Sequence, residues 1–272
     1  MNSEQVKNIA KKAGADLIGI ASIDRFKDLP AEKSPLSIFP ECKSVIVIGR
    51  RILRGSIRGI EEGTSFSNTY GAFGFNWLED TFLPKTTYDL TCALECEGIE
   101  AVPLFGYSQE ADMDYGIPVS PGKPAPNVII AIENAAKQAG LGITGKGGFF
   151  LTSEFGHRQR LAMILVDSEL EADAIKDLDF CDDCNACIES CPLGSYKEDG
   201  SIEKKICASC NNGALDTRGK GGVKDRFAAA CGRACMISLE ERNKLSNKFP
   251  NSFRKREPWA RDMYNRPITN EK

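Results

Sequence analysis

CDDCNACIESCP, Cys181 to Pro192, sets four cysteines at spacings of two, two and three residues, with a proline closing the run. In this arrangement three thiolates hold three corners of one [4Fe-4S] cube, while the fourth, ahead of the proline, reaches across to a second cube. Two cubes require a second set of four ligands downstream, and Cys207, Cys210, Cys231 and Cys235 supply it. The crossed pattern assigns Cys181, Cys184, Cys187 and Cys235 to one cluster and Cys191, Cys207, Cys210 and Cys231 to the other. Zinc also takes paired cysteines, but its sites favour two separated pairs closing a tetrahedron over overlapping pairs in one turn.

The second set is drawn out. CASC is followed by NNGALDTRGKGGVKDRFAAA and then CGRAC, with no proline after Cys235. The Gly- and Lys-rich insert is expected to loop out and return through a short helix at DRFAAA.

Around this module the chain is ordinary: 272 residues, 42% hydrophobic, 27% charged, net charge -3, enough for a domain of about 100 to 200 residues plus a smaller one. The expected division is an α/β cofactor or substrate domain over 1–177, a bacterial-ferredoxin-like two-cluster module over 178–237, and a helix and tail packing back over 238–272. So small a net charge exerts no broad pull on nucleic acid. No apolar run reaches the roughly 18 residues that a bilayer span needs. MNSEQVKNIAKKAGADLIGI lacks the charged-then-apolar layout of a signal peptide and reads as mature sequence. Thiols kept free for iron belong in a reducing compartment, so a cytoplasmic location is expected, and an anaerobic host suits the cluster chemistry.

Apolar periodicity predicts a helix capped by Ser3 and ended by Gly14, then strands at Ala15–Ile23, Ser44–Ile52, Glu100–Tyr107 and Arg158–Leu170. Further helices are expected at Asn76–Cys96, with Trp77, Phe82, Leu83, Leu90 and Leu94 inward and Pro84 as a kink, at Val128–Ala139, and at SLEERNKL, where Ser238 and Glu241 form a capping box. Gly55–Phe75 and the stretch before Asn127 have no period and read as functional loops. AGLGITGKGGFFL, Ala139–Leu151, resembles a phosphate-binding P-loop, but Gly147 stands where Ser or Thr must bind magnesium, and a helix precedes it where a strand should. Its glycines instead allow close approach by a flat or bulky group. The basic, aromatic tail after Asn247 has no accompanying RNA-binding module, and its aromatics are expected to pin it to the core.

PNVIIAIENAAKQAGLGITGKGGFFLTSEFGHRQRLAMILVDSEL followed by CDDCNACIESCP resembles the epoxyqueuosine reductases and their reductive dehalogenase relatives, in which an AGLG turn, an LTPEFG strand and a double-cluster insert occur in this order. The likeness covers about residues 127 to 192, and Ala15 to Ile52 more loosely. It implies an α+β, nitroreductase-related domain in which a corrinoid lies over the sheet with its cobalt near a cluster. Two departures limit what carries over. The family's proton-donating aspartate has no counterpart in PAPNVII, and the helical-repeat tail of tRNA-acting members is absent, so action on tRNA queuosine is not expected. The dehalogenases' tyrosine donor has Tyr70 or Tyr115 as candidates, each also readable as a packing tyrosine.

The leading expectation is a reductase passing electrons from a low-potential donor such as ferredoxin or flavodoxin, through the clusters, to a corrinoid or, second, a flavin. Gly142, Gly145, Lys146, Gly147, Gly148 and Arg160 are its candidate cofactor contacts. The alternative is a ferredoxin-like carrier or activator of a partner corrinoid protein. Purely structural clusters are a third reading, disfavoured because the domain is large enough to fold without them. His157, the single histidine, follows Phe155-Gly156 in a turn and reads as solvent-facing. Cys42, Cys92 and Cys96 read as small buried hydrophobes, and Glu61 and Glu62, beside Arg58, as bearing a proton or an ion pair or, equally, as part of a solvated loop.

Overall fold

The computed structural model describes residues 1–106, 116–126, 128–197, 199–215 and 224–268. Two compact units, each discontinuous in sequence, make up the chain: residues 1–51, 80–143 and 160–177 form the first, and 52–79, 144–159 and 178–272 the second.

The first unit is built on a four-stranded sheet of order β1-β2-β6-β3, with β1 at Leu17–Ser22, β2 at Ser44–Arg51, β3 at Ala101–Leu104 and β6 at Gln159–Val166. β1 pairs antiparallel with β2 (Leu17 opposite Gly49) and β3 antiparallel with β6 (Ala101 opposite Val166). Each strand is shorter than its apolar run suggests. α1 (Ser3–Lys12) and α4 (Leu83–Cys96) cover one face, where Val6, Ala10, Leu90 and Leu94 meet Ile20, Ile46, Ile48 and Ile164. α5 (Ile132–Gln138) packs on β1 and β2 as well. A strand covered on both sides is apolar throughout, which is why SVIVIG does not alternate. α2 (Pro35–Ile38) is a single turn in the β1–β2 connection.

Several local expectations are corrected. Asn2, not Ser3, caps α1: its side chain accepts from Gln5 N–H, and Gln5 returns the bond to the Asn2 backbone. Pro84 stands in the first turn of α4, where a π-helical turn over Leu78–Phe82 gives way to α-helix. Trp77, just before that turn, and Phe82, at its end, are 51% and 36% exposed instead of facing inward.

The second unit carries short elements: α3 (Arg58–Glu61), β5 (Phe150–Thr152), α6 (Ala186–Glu189), α7 (Lys204–Ala208), the β7–β8 pair (Ala214–Leu215, Lys224–Asp225) and α8 (Ala230–Glu241). Gly55–Phe75 is largely helical, not an irregular loop. Ser67–Asn76 is a π-helix, entered by an i to i-5 bond from Gly71 N–H to Phe66 O, 2.8 Å. Its buried residues Tyr70 and Phe75 lie five apart, a spacing that a search at 3.6 passes over. No helix begins at Ser238 either, because α8 runs unbroken through it and CGRAC lies on its first turns. The expected DRFAAA helix is a 3-10 turn, Arg226–Ala228, leading into α8.

In the tail, Phe253 is buried, and Trp259 Nε1 donates to Ile60 O (2.8 Å) while its ring stacks on Phe66. Phe249 and Tyr264 remain exposed.

One contact in the first unit leaves no room for a side chain. A Cβ on Gly19 of β1 would stand 2.2 Å from the carbonyl of Ala139. Gly19→Ala is expected to cost about 1–3 kcal/mol, read as a lower urea midpoint; an unchanged midpoint would contradict this packing.

Candidate functional site

The eight late cysteines all belong to the second unit, and they surround two cavities. Cys181, Cys184, Cys187 and Cys235 line the first, together with Gly145, Gly147, Phe149, Leu151, Phe180, Leu239 and Arg242. Cys191, Cys207, Cys210 and Cys231 line the second, with Pro192, Ser195, Tyr196, Asp225 and Arg226 among the other walls. α6 presents Cys187 and packs against α8, which presents Cys231 and Cys235 four residues apart, one to each cavity. No disulfide joins any of the eleven cysteines. Among the described residues, no three cysteine, histidine or carboxylate side chains converge closely enough to share a single metal ion.

The glycine turn lies against the first cavity. Gly145 N–H donates to Phe149 O (2.9 Å) and Gly148, at φ +68°, turns the chain back with its N–H on Gly145 O. A Cβ at Gly145 would stand 2.9 Å from Cys181 Sγ, and one at Gly147 3.0 Å from Cys187 Sγ. These glycines let the backbone close over the thiols. Lys146 Nζ reaches Asn185 Oδ1 (3.3 Å) and lies 3.5 Å from Cys184 O. Of the other candidate contacts, Gly142 sits on β4 (Gly142–Thr144) and Arg160 half-buried on β6; both belong to the first unit.

Burial raises three of the late thiols, Cys187, Cys231 and Cys235. It pushes Cys235 well above the ordinary thiol range, reinforced by the negative charges of Cys187, Cys181 and Cys184. Burial likewise raises Cys187, and it raises Cys231 to about 11 against the pull of Arg226 and of a Tyr196 hydrogen bond. For Cys184 burial is outweighed: a hydrogen bond with Ser238 Oγ (3.2 Å), the Ala186 backbone, Arg242 and Lys146 hold it below the ordinary range. Ser195 Oγ and Asn212 Nδ2 make the matching contacts to Cys191 (3.2 Å) and Cys210 (3.3 Å). Hydrogen bonds to ligand sulfur are a main lever on the potential of a thiolate-bound cluster. Ser195, Asn212, Tyr196 and Arg226 carry no motif and were missed in the sequence; only their nearness to the cysteines could have found them.

The remaining candidates are resolved locally. Tyr70 is fully buried and donates to Asp225 Oδ2 (2.7 Å), while Tyr115 lies outside the described residues, as do 112–114 and Asn127. Glu61 is the ion-pair alternative: 6% exposed, it is held by Arg233 (3.1 Å) and Arg254 (2.5 Å), and Glu62 pairs with Arg58 and Arg256. Cys42 is buried, its thiol raised to about 11 by burial, whereas Cys92 is half-buried and Cys96 exposed, contrary to expectation.

His157 is not solvent-facing. Gly156, at φ +63°, turns it inward between Phe149 and Phe227, with ring centroids 4.9 and 5.4 Å away. There Nε2 bonds Gly232 O (2.8 Å) and Nδ1 has no partner.

No protein-family model matches the chain. It is 35% identical over 74 residues to the epoxyqueuosine reductase of Listeria monocytogenes, 27% of this chain and 19% of that protein. It is 27% identical over 236 residues to the tetrachloroethene reductive dehalogenase of Desulfitobacterium hafniense, 78% of this chain and 42% of that one. Among solved structures, epoxyqueuosine reductase from Streptococcus thermophilus superimposes with TM-score 0.57 at 18% identity, over 92% of this chain and 68% of that one. The catabolic reductive dehalogenase NpRdhA gives 0.57 at 16% identity, over 89% and 34%. The chain is a homologue of epoxyqueuosine reductases and reductive dehalogenases. It shares their mixed helix-and-sheet fold, and it spans less than half the length of these curated relatives. Among the described residues no helix is long and apolar enough to cross a membrane.

Burial lowers His157 from 6.5 to about 4. The unfolded chain then binds a proton that the folded chain refuses, so stability falls as pH drops from 6.5 towards 4, by up to about 3 kcal/mol. Urea unfolding at pH 7, 6, 5 and 4 should show this loss for the wild type and a shallower one for His157→Gln; equal slopes would contradict it.

Proposed function

We propose that the chain is an iron-sulfur reductase, passing single electrons through two [4Fe-4S] clusters to a corrinoid, with a flavin as the second choice of acceptor. The observation that carries this reading is the division of the eight thiols into two cavities of four, each closed by a cysteine from the other half of the motif. The donor set fits clusters: thiols alone, with no imidazole, and a glycine cradle against the sulfurs that any Cβ would fill. Thiolate-bound cubes supply one-electron transfer without a change of coordination.

The chain's own residues would do the rest. The two quartets hold the clusters, Gly145 and Gly147 close the backbone over one of them, and Ser195, Ser238 and Asn212 bond ligand sulfurs. The corrinoid is supported by the relatives, one of which is a reductive dehalogenase described as B12-dependent; bond breaking would belong to that cofactor, which the protein orients. A low-potential ferredoxin or flavodoxin in a reducing cytoplasm would suit as donor. The substrate is left open.

A specific observation favours a second reading, an electron carrier or activator for a partner corrinoid protein. PAPNVII offers no carboxylate, and the Tyr70 hydroxyl is already committed to Asp225.

Anaerobically reconstituted protein should contain about eight iron and eight acid-labile sulfide per chain; zinc, or neither metal, would sink the cluster reading. Added cobalamin should be retained stoichiometrically with a shift of its visible bands. Loss of cobalamin on desalting, with no flavin bound, would select the carrier.

A further inference from the structure

Two buried donors face the second thiol cavity. Arg226 Nε has no hydrogen-bond partner, and the Tyr196 hydroxyl, which also lines the cavity, bears on Cys231. The rest of the Arg226 guanidinium is fixed: Nη2 donates to Gly147 O (2.6 Å), and the group lies 4.9 Å over the Phe149 ring. Its backbone is set by the 3-10 turn that Asp225 caps through Phe227 N–H (3.1 Å). A buried cation with one N–H kept free costs stability, and the fold retains it beside four thiols. The cations near the first cavity are committed differently. Arg242 donates to Phe180 O (2.6 Å) and Ser238 Oγ (3.2 Å), and Lys146 reaches Asn185 Oδ1.

We propose that Arg226 and Tyr196 donate hydrogen bonds to the cluster held by Cys191, Cys207, Cys210 and Cys231, and so raise its reduction potential. This rests on the iron-sulfur reading above. Reduction adds one electron to a cluster that is already negative. A fixed cation and two donors stabilise that added charge.

The test is an EPR-monitored redox titration of the reconstituted full-length protein. Arg226→Gln should lower one of the two midpoint potentials so that the reduced-to-oxidised ratio at a fixed potential falls about tenfold, about 59 mV for a one-electron couple. The other midpoint should move less, and the affected signal should be the one altered by Cys207→Ser. Arg226→Lys should keep most of the wild-type value, and Tyr196→Phe should lower the same midpoint by a smaller step. Full iron in Arg226→Gln with neither midpoint moved overturns the proposal, as does a Lys variant shifted as far as the Gln variant. If Arg226→Gln fails to assemble clusters, an unmoved midpoint in Tyr196→Phe overturns it. Wild-type protein without iron defeats the function itself, which separates the two failures.

Discussion

Everything in the second unit turns on one constraint: Cys235, on α8, must share a cavity with a cysteine run that ends more than forty residues earlier. A helix is the economical way to meet it. Cys231 and Cys235 stand one turn apart, so the same rigid element serves both cavities, and α6 packs against α8 to bring Cys187 to the first. The thiols so gathered resist ionisation, Cys235 most of all. Metal bound there, as proposed, would remove that resistance, because a coordinating thiol gives up its proton outright. Assembly of this unit and loading of its sites are therefore expected to be coupled.

The frame around the cavities is polar where a core is usually apolar. Glu61, Arg233 and Arg254 form a buried ion cluster, with Trp259 under the Arg233 guanidinium at 4.3 Å and Arg233 bonding the carbonyls of Ile60 and Trp259. Such groups add little net stability but tolerate no missing partner. Their effect is to tie the tail, α3 and α8 to one geometry. His157, neutral and stacked between two phenylalanines, does the same for the chain behind the glycine turn.

Legibility in the sequence followed the strength of local constraint. The cysteine spacing named the candidate ligands and the glycine-rich turn named a place of close approach, because ligation and positive φ leave marks on residue identity. The sheet of the first unit was visible in SVIVIG and LAMILV for the same reason, continuous burial. What was hidden depended on partners far away in the chain. His157 looked exposed since nothing local shows the Phe227 that covers it. Ser238 looked like a cap because its other use, bonding Cys184, spans fifty-four residues. The π-helix at Ser67–Asn76 escaped a 3.6-residue template, and Arg226 and Tyr196 belong to no motif.

Spin counting tests the central claim most directly. In dithionite-reduced, reconstituted protein, two crossed clusters predict two S = ½ centres per chain, broadened by their mutual coupling. Replacing Cys235 by serine should alter the cluster at Cys181, Cys184 and Cys187 and leave the other as one uncoupled signal. A wild type without iron-sulfur spins, or a Cys235→Ser protein with both signals unchanged, would contradict the account.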